Sequence, residues 1–225
     1  MGENASIIDV ERMLERMIPR DTILIKYSSY SHPGIVFCSF IKDLKEQYGD
    51  KVGIIVVDIL DNLGIIQYQA KAFGINLEEL LGDEVAVLKL GGSIDVGSVM
   101  ERLKVSPSYL IHREKFKEKI ESLTEHFKDK EFIIKITFGF DKFLMLLDER
   151  ERLLQIHDMI RYFTTKPSDV RDIICINTDL WKHLKPYVPE YFEEAVLFIG
   201  EVIDPHHVKV LKSITPDFKG KIIEF

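Results

Sequence analysis

The sequence predicts an α/β protein with three layers: a mostly parallel sheet, helices on both faces, and an antiparallel β edge at the carboxyl-terminal end. Three observations predict this fold class. Strand-like apolar runs alternate with helical segments as far as residue 104, which is the order of βαβ units. One run, Val52–Val57, is apolar throughout, as in a strand buried on both faces of a parallel sheet. From Ala195 onward only turns separate the strands, and such short links join antiparallel neighbours.

The first half of the chain supplies most of the predicted parallel core. Ser6-x-x-Asp9 resembles a capping box, and apolar residues follow it at helical spacing as far as Pro19. Pro33 suits the first turn of a helix and Gly49 suits its end. The remaining elements predicted here are a strand at Thr22–Tyr27, a helix from Asp61-Asn62 to Gly74, a short helix at Leu77–Leu81 and a strand at Val85–Leu90.

The second half begins with a predicted helix, because Val96, Val99, Met100 and Leu103 follow helical spacing after the Gly91-Gly92 break. A charged helix with one apolar face comes next, and a proline-containing turn lies late in the chain. The elements predicted here are helices around Phe116–Phe127 and Glu149–Phe163, strands at Phe132–Phe138 and Asp172–Asn177, a turn at Pro186–Pro189, and closing strands at Ala195–Val202, Val208–Ile214 and Lys221–Phe225.

The composition of the chain limits the classes of protein to which it can belong. The chain has 225 residues, of which 46% are hydrophobic and 30% charged, enough apolar material for a core. With no linker or internal repeat, we expect a single domain over residues 1–225. The longest apolar stretches are far shorter than the ~18–20 residues of a membrane span. No secretory signal is visible, so we expect a cytoplasmic protein without membrane contact. A net charge of −7 disfavours nucleic acid as a partner.

Two further features of the composition bear on chemistry and source. Cys38 and Cys175 lie inside apolar runs far apart in the sequence, so we expect buried free thiols rather than a metal or redox pair. Abundant Ile, Lys and Glu beside scarce Asn and Gln are typical of hyperthermophile proteins. The sequence therefore indicates a thermophilic prokaryotic source, and it predicts neither a metal site nor a cofactor.

The order of elements, with closing strands that read VLFIGEVI and HHVKVLKSITPDFKGKIIEF, resembles the core of RecA/KaiC-type ATPases. Those proteins also end in consecutive antiparallel strands, one of which contains lysine, as Val208–Lys212 does here. Over nearly its full length the chain is similar to an uncharacterised family of hyperthermophilic archaea with degenerate KaiC-like character. The resemblance implies a RecA-like sheet, and it implies self-association into a dimer or larger assembly.

The sequence departs from that family at both nucleotide motifs. A P-loop needs glycines, a lysine and a Ser/Thr after the first core strand. Here Thr22–Tyr27 is followed by Ser28-Ser29-Tyr30-Ser31-His32-Pro33-Gly34-Ile35-Val36, which has no leading glycine and no lysine. Pro33 also removes one backbone N–H from the phosphate cradle. The strand expected to carry the Walker-B aspartate, Phe132–Phe138, has no carboxylate, and Asp141 lies beyond it. These departures predict a protein that does not hydrolyse ATP.

Two groups of residues remain candidates for ligand binding. Ser28, Ser29, Ser31 and Gly34 precede or begin a helix, where hydroxyls and free N–H groups can hold an anion, although ordinary turn and capping chemistry also accounts for them. Asp58 and Asp61 follow the second core strand, at the edge where ligands bind in such sheets. Capping of the next helix is the favoured role of Asp61.

We therefore expect a non-hydrolysing RecA/KaiC-like binding or regulatory protein, without catalytic residues, whose partner is another protein or a second copy of the chain. The alternative is an enzyme that binds a nucleotide or phosphate ligand at a rebuilt Ser28–Gly34 loop. In that case Asp58 and Asp61 would supply acid–base groups or hold Mg²⁺.

Overall fold

The structure is a computed structural model that describes residues 7–9, 13, 22–105, 109–167, 169–184 and 188–225. Its strands are β1 (Ile7–Asp9), β2 (Thr22–Tyr27), β3 (Val52–Ile59), β4 (Val85–Leu90), β5 (Ser98–Leu103), β6 (Phe132–Phe138), β7 (Val170–Asn177), β8 (Phe198–Asp204), β9 (His207–Lys212) and β10 (Ile222–Glu224). Its α-helices are α1 (Pro33–Tyr48), α2 (Asn62–Ala72), α3 (Leu77–Leu81), α4 (Tyr109–His126), α5 (Phe140–Leu146), α6 (Glu149–Thr165), α7 (Thr178–Trp181) and α8 (Val188–Ala195).

The ten strands belong to one sheet, in the order β1-β10-β9-β8-β2-β7-β6-β3-β4-β5. Every neighbouring pair from β8 to β5 is parallel. Strand β9 is antiparallel to both β8 and β10, which confirms the predicted antiparallel edge. Strand β1 pairs in parallel with β10, so the earliest and latest strands of the described chain are neighbours.

Helices cover both faces of this sheet, which confirms the predicted three layers. Helices α1, α2 and α3 pack on one face, and α4 to α8 pack on the other. Strand β3 contributes to both layers: Ile54 and Val56 face the first, whereas Ile55 and Val57 face the second. All eight residues of β3 are buried, as its continuous apolar sequence predicts.

The parallel arrangement determines where a ligand site can lie. Strands β2, β7, β6, β3 and β4 all run in the same direction, so their carboxyl ends meet along one edge of the sheet, called here the carboxyl edge. Helix α1 begins at this edge with Pro33 and ends before Gly49, whose φ of 49° suits glycine. Both ends match the sequence prediction.

The predicted amino-terminal helix is wrong over Ile7–Asp9, which form β1 and pair with Ile222–Glu224. The consecutive β-branched residues Ile7 and Ile8 favour a strand, but their partner lies at the far end of the chain, beyond the reach of local spacing. Met13 is buried. The other residues of the predicted helix lie outside the described part of the chain.

The predicted helix over Val96–Leu103 is also wrong, because Ser98–Leu103 form β5 at the edge of the sheet. The pairing of β5 with β4 shifts register between Val87 and Leu88. Such an irregularity disrupts the alternation typical of a strand. Buried Val96 and Leu103 therefore fall at a spacing that imitates a helix.

The proline-containing segment late in the chain differs from its prediction as well. Val188 and Pro189 begin helix α8 instead of completing a turn, since proline is tolerated in the first turn of a helix. Pro186 lies outside the described residues. In the described part of the chain, no helix combines the length and apolarity needed to cross a membrane.

Candidate functional site

The carboxyl edge carries both groups of predicted ligand-binding residues. Ser28–Ser31 follow β2, whereas Asp58 lies in β3 and Asp61 just beyond it. Strands β7 and β6 separate β2 from β3. Neighbouring strands are about 4.8 Å apart, so the two groups are separated by roughly 14 Å. The structure thus places them on one edge but not in one cluster.

The serines after β2 form a compact turn that uses its own polar groups. The Ser28 amide donates to Ser31 Oγ at 3.3 Å, and the Tyr30 amide donates to Ser28 Oγ at 3.3 Å. The Ser31 amide donates to the Ser28 carbonyl at 3.0 Å. The two hydroxyls of Ser28 and Ser31 are 2.9 Å apart. This turn chemistry matches the simpler interpretation of the sequence, although no serine side chain caps α1.

The Ser29 amide is bound by a carboxylate of α7, the short helix that follows the neighbouring strand β7. It donates to Asp179 Oδ2 at 2.9 Å, and the Ser29 hydroxyl hydrogen-bonds the side chain of Asn177. The Ser29 amide, followed by the Lys182 ammonium, lowers the pKa of Asp179 to about 2. Asp179 is therefore an ionised anion at neutral pH, in contact with the loop after β2.

Gly34, in the first turn of α1, is bound from a second direction. Its amide donates to Gln69 Oε1 of α2 at 3.2 Å. A Cβ at this position would lie 2.9 Å from that oxygen and 3.2 Å from the Ile66 carbonyl. Gly34 is thus needed for the close approach of α1 and α2, which is a packing role.

Asp58 and Asp61 converge on a lysine from the adjacent strand. Lys89 Nζ in β4 is 2.8 Å from Asp58 Oδ2 and 2.6 Å from Asp61 Oδ1. The side chains of Lys89 and Asp58 are only 2% and 1% exposed. Burial lowers the pKa of Lys89, but the bonds from both carboxylates outweigh burial and raise it above its usual value. The ammonium is therefore charged and pairs with both aspartates.

The capping role predicted for Asp61 belongs to Asp58. Asp61 occupies the position before α2 at φ 62°, but its side chain makes no capping bond, whereas Asp58 Oδ1 accepts from the Leu63 amide at 3.0 Å. Asp61 instead accepts from the amides of Ser93 and Ile94 at 2.8–2.9 Å. Burial alone would raise the pKa of Asp61. The bonds from these amides and from Lys89 have the larger effect, so the pKa lies below its usual value.

Several residues of this edge escaped the sequence prediction. Lys89 carries a signal that could have found it, since a lysine inside the buried run Val85–Leu90 needs an acidic partner. Asp179 and Asn177 contact Ser29 in the loop after β2, and only the strand order shows that these residues lie close together. Asp141, noted beyond the expected Walker-B strand, is fully buried next to Asn177.

The strand expected to carry the Walker-B aspartate contains a buried cation instead. Lys135 Nζ in β6 is 2.7 Å from Asp172 Oδ1, and Lys166 Nζ is 2.5 Å from Asp172 Oδ2. Within the described ranges, no group of three His, Cys, Asp or Glu side chains is arranged to hold a metal ion. Asp172 lies near the start of β7, away from the carboxyl edge, and it is paired with both lysines.

Comparison with known families provides the classification. Residues 12–224 match the family described as "Pyrococcus protein of unknown function, DUF257". The chain belongs to this DUF257 family. No curated protein matches the sequence. The family assignment agrees with the resemblance to an uncharacterised archaeal family and with the thermophilic composition.

Solved structures add the fold of this DUF257 chain. PH0250 from Pyrococcus horikoshii OT3 is similar with a TM-score of 0.78 and 22% identity, covering 96% of this chain and 98% of that one. The KaiC-like protein PH0186 from the same organism is similar with a TM-score of 0.61 and 13% identity, covering 96% and 90%. The fold is therefore RecA-like.

A third similar structure is that of PH0321 from Pyrococcus horikoshii, an uncharacterised protein described as being in complex with an unknown peptide. Its TM-score is 0.61 at 14% identity, with 91% of this chain and 89% of that one covered. At this identity the likeness establishes shared architecture only.

Proposed function

We propose that this DUF257 protein is a non-hydrolysing RecA/KaiC-like binding or regulatory protein that acts through a protein partner. The proposal rests on the hydrogen bonds that the backbone amides of the loop after β2 already make. Six backbone amides are already bonded within the chain; they are those of Ser28, Ser29, Tyr30, Ser31, Gly34 and Ile35. Pro33 has no N–H to offer.

A phosphate cradle works because several unpaired N–H groups converge on one anion. In this loop, a phosphate would have to displace Ser31 Oγ, Ser28 Oγ and Gln69 Oε1 from their donors. It would also meet the ionised Asp179 carboxylate, whose negative charge repels another anion at short range. These contacts support a loop whose amides are occupied by side chains of the loop itself, of α2 and of α7.

The contacts of Asp58 and Asp61 argue against the alternative function, an enzyme with a rebuilt site. To hold Mg²⁺ or act as a base, Asp58 and Asp61 would have to release Lys89, which is 2% exposed. Leaving a buried ammonium unpaired costs about 3–5 kcal/mol. The lowered pKa of Asp61 also makes it a weak proton acceptor. A structural role for Asp58 and Asp61 favours a binding protein over an enzyme.

A protein partner fits the surface around the edge. Five large apolar side chains stand exposed on or beside α2 and the two neighbouring loops: Tyr30, Ile65, Tyr68, Phe73 and Ile94. The His32 ring lies 5.8 Å from the Phe73 ring, which links the β2 loop to the end of α2. The structurally similar PH0321 is described in complex with a peptide. Exposed aromatic side chains are the type enriched at protein interfaces.

Calorimetric titration with ATP and ADP, with and without Mg²⁺, tests the proposal. We expect no binding heat at millimolar nucleotide, because the loop amides and Asp179 leave no place for phosphate. Micromolar binding, about −8 kcal/mol, would be readily measured. Light scattering on the same sample decides whether the partner is a second copy, since a mass near 26.1 kDa would leave a different protein as the partner.

Micromolar nucleotide binding would contradict the proposal if Ser31→Ala weakened it and Ser122→Ala did not. Ser122 is the matched control, because it lies in α4 and bonds Glu101. That pattern would place the nucleotide in the β2 loop and favour the enzyme with a rebuilt site.

A further inference from the structure

The buried carboxyl of Asp141 differs from the carboxyls of Asp58 and Asp61 because it forms no ion pair with any of the described residues. Asp141 lies in the first turn of α5 and is 0% exposed. Its Oδ2 accepts from the Asn177 amide at 3.3 Å. Its Oδ1 has no hydrogen-bond partner among the described residues. An ionised carboxylate so placed would be costly, since burial penalises the charged form.

The groups around Asp141 offset only part of a negative charge. Tyr27 of β2 and Cys175 of β7 both have a raised pKa, first through burial and then through the negative charge of Asp141. Lys142 is the nearby cation, and its ammonium donates to Asn62 Oδ1 at 2.7 Å. Burial raises the pKa of Asp141, and the amides of Asn177 and of its own helical turn, with Lys142, lower it by less.

We infer that Asp141 keeps its proton to a higher pH in the folded protein than in the unfolded chain, and that it acts as a proton-dependent latch on the carboxyl ends of β6 and β7. The protonated carboxyl remains buried between Tyr27 and Cys175 and keeps its contact with Asn177. When solvent base removes the proton, the carboxylate is stabilised only if this region opens to water. The latch operates whether or not the loop after β2 binds a ligand.

Asn177 carries the effect to that loop. Its backbone amide contacts Asp141, while its side chain bonds the Ser29 hydroxyl and accepts from the Asp179 amide at 2.8 Å. Opening at Asp141 therefore loosens the residues that hold Ser29 and Asp179 together. Ionisation of Asp141 is in this way coupled to the conformation of the loop after β2.

Thiol labelling tests the latch, with an internal reference in the same molecule. The two cysteines, Cys175 and Cys38, are both buried, but only Cys175 is affected by the charge of Asp141. The full chain is treated with 4,4′-dithiodipyridine between about pH 4 and pH 9, and mass spectrometry measures modification at each cysteine. The ratio of the two rates cancels the intrinsic pH dependence of an exposed thiol.

In the wild type we expect the Cys175/Cys38 ratio to rise with pH, by up to about tenfold per unit, and to level off once Asp141 is ionised. In Asp141→Asn the ratio should stay constant, because no proton is lost there. Identical pH profiles in the two proteins would overturn the inference.

A second measurement does not depend on the variant folding. The ¹³C chemical shift of the Asp141 carboxyl in the wild type should titrate above the usual range near 3.9. Titration at or below that value would show that burial does not hold the proton on Asp141, and it would equally overturn the latch.

Discussion

His112 shows how one buried side chain links pH to stability. It is 3% exposed, its ring lies 4.8 Å from that of Phe143, and its Nδ1 has no hydrogen-bond partner among the described residues. Burial lowers the pKa of His112. The folded protein therefore keeps the imidazole neutral at a pH where the unfolded chain already binds a proton, so acid favours unfolding.

Removing this histidine should reduce acid sensitivity. Below about pH 6.5 the wild type should lose up to ~1.4 kcal/mol of unfolding free energy per pH unit because of His112. This loss continues until the folded-state pKa is reached. His112→Leu should abolish this component, whereas the exposed His183→Leu should keep it. Denaturant unfolding at several pH values measures it, and an unchanged pH slope in His112→Leu would refute the assignment.

At the scale of elements, the turn between β6 and α5 depends on a glycine. Gly139 has φ of +80°, and a Cβ there would lie 2.5 Å from the Ile59 carbonyl and overlap the amide of Asn62. This close approach joins α5 to the end of β3. Gly74, after α2, has a similar φ of +76°, but nothing lies within 4 Å of a Cβ there.

The two glycines form a matched pair for substitution. Gly74→Ala should cost about 1–2 kcal/mol, the price of a left-handed conformation alone. Gly139→Ala should cost about 1–3 kcal/mol more, because the added methyl also displaces Asn62 and the β3 backbone. The free energy of unfolding in denaturant separates the two contributions. Equal losses in both variants would mean that the contacts around Gly139 adjust freely.

At the scale of the whole molecule, a single sheet contains strands from the first and the last parts of the described chain. Strands β1 and β10, at opposite ends of the sequence, are paired, and β2 sits between β7 and β8 from the second half. Dividing the chain at any point along the parallel core would break strand pairs. We therefore propose that residues 1–225 form a single domain.

Thermal or denaturant unfolding should then proceed in one transition. Trp181, the only tryptophan, reports on α7 through fluorescence, and far-UV circular dichroism reports on the entire chain. Coincident midpoints are expected for one cooperative unit. A separate earlier transition in either signal would divide the chain into two units.

The sequence predicts the parallel core well because burial on both faces leaves a local mark, as in β3 and β4. It fails at β1 and β5, where the pairing partner and a register shift decide the structure. For the candidate site, the sequence predicts the positions of Ser28, Ser29, Asp58 and Asp61 at the carboxyl edge, where the structure also has them, and their binding of a ligand stays a prediction. Lys89 can be recognised as needing an acidic partner, but its pairing with these aspartates and the contact of Asp179 with Ser29 depend on which strands lie side by side.

The pairing of β1 with β10 has a consequence for synthesis of the protein. A ribosome releases Ile7–Asp9 before their hydrogen-bonding partners Ile222–Glu224, which are added more than two hundred residues later. Until those residues emerge, β1 has no native strand to pair with, so this side of the sheet is completed only after β10 has been synthesised. Molecular chaperones that shield exposed strands would have their longest opportunity to act on these few residues.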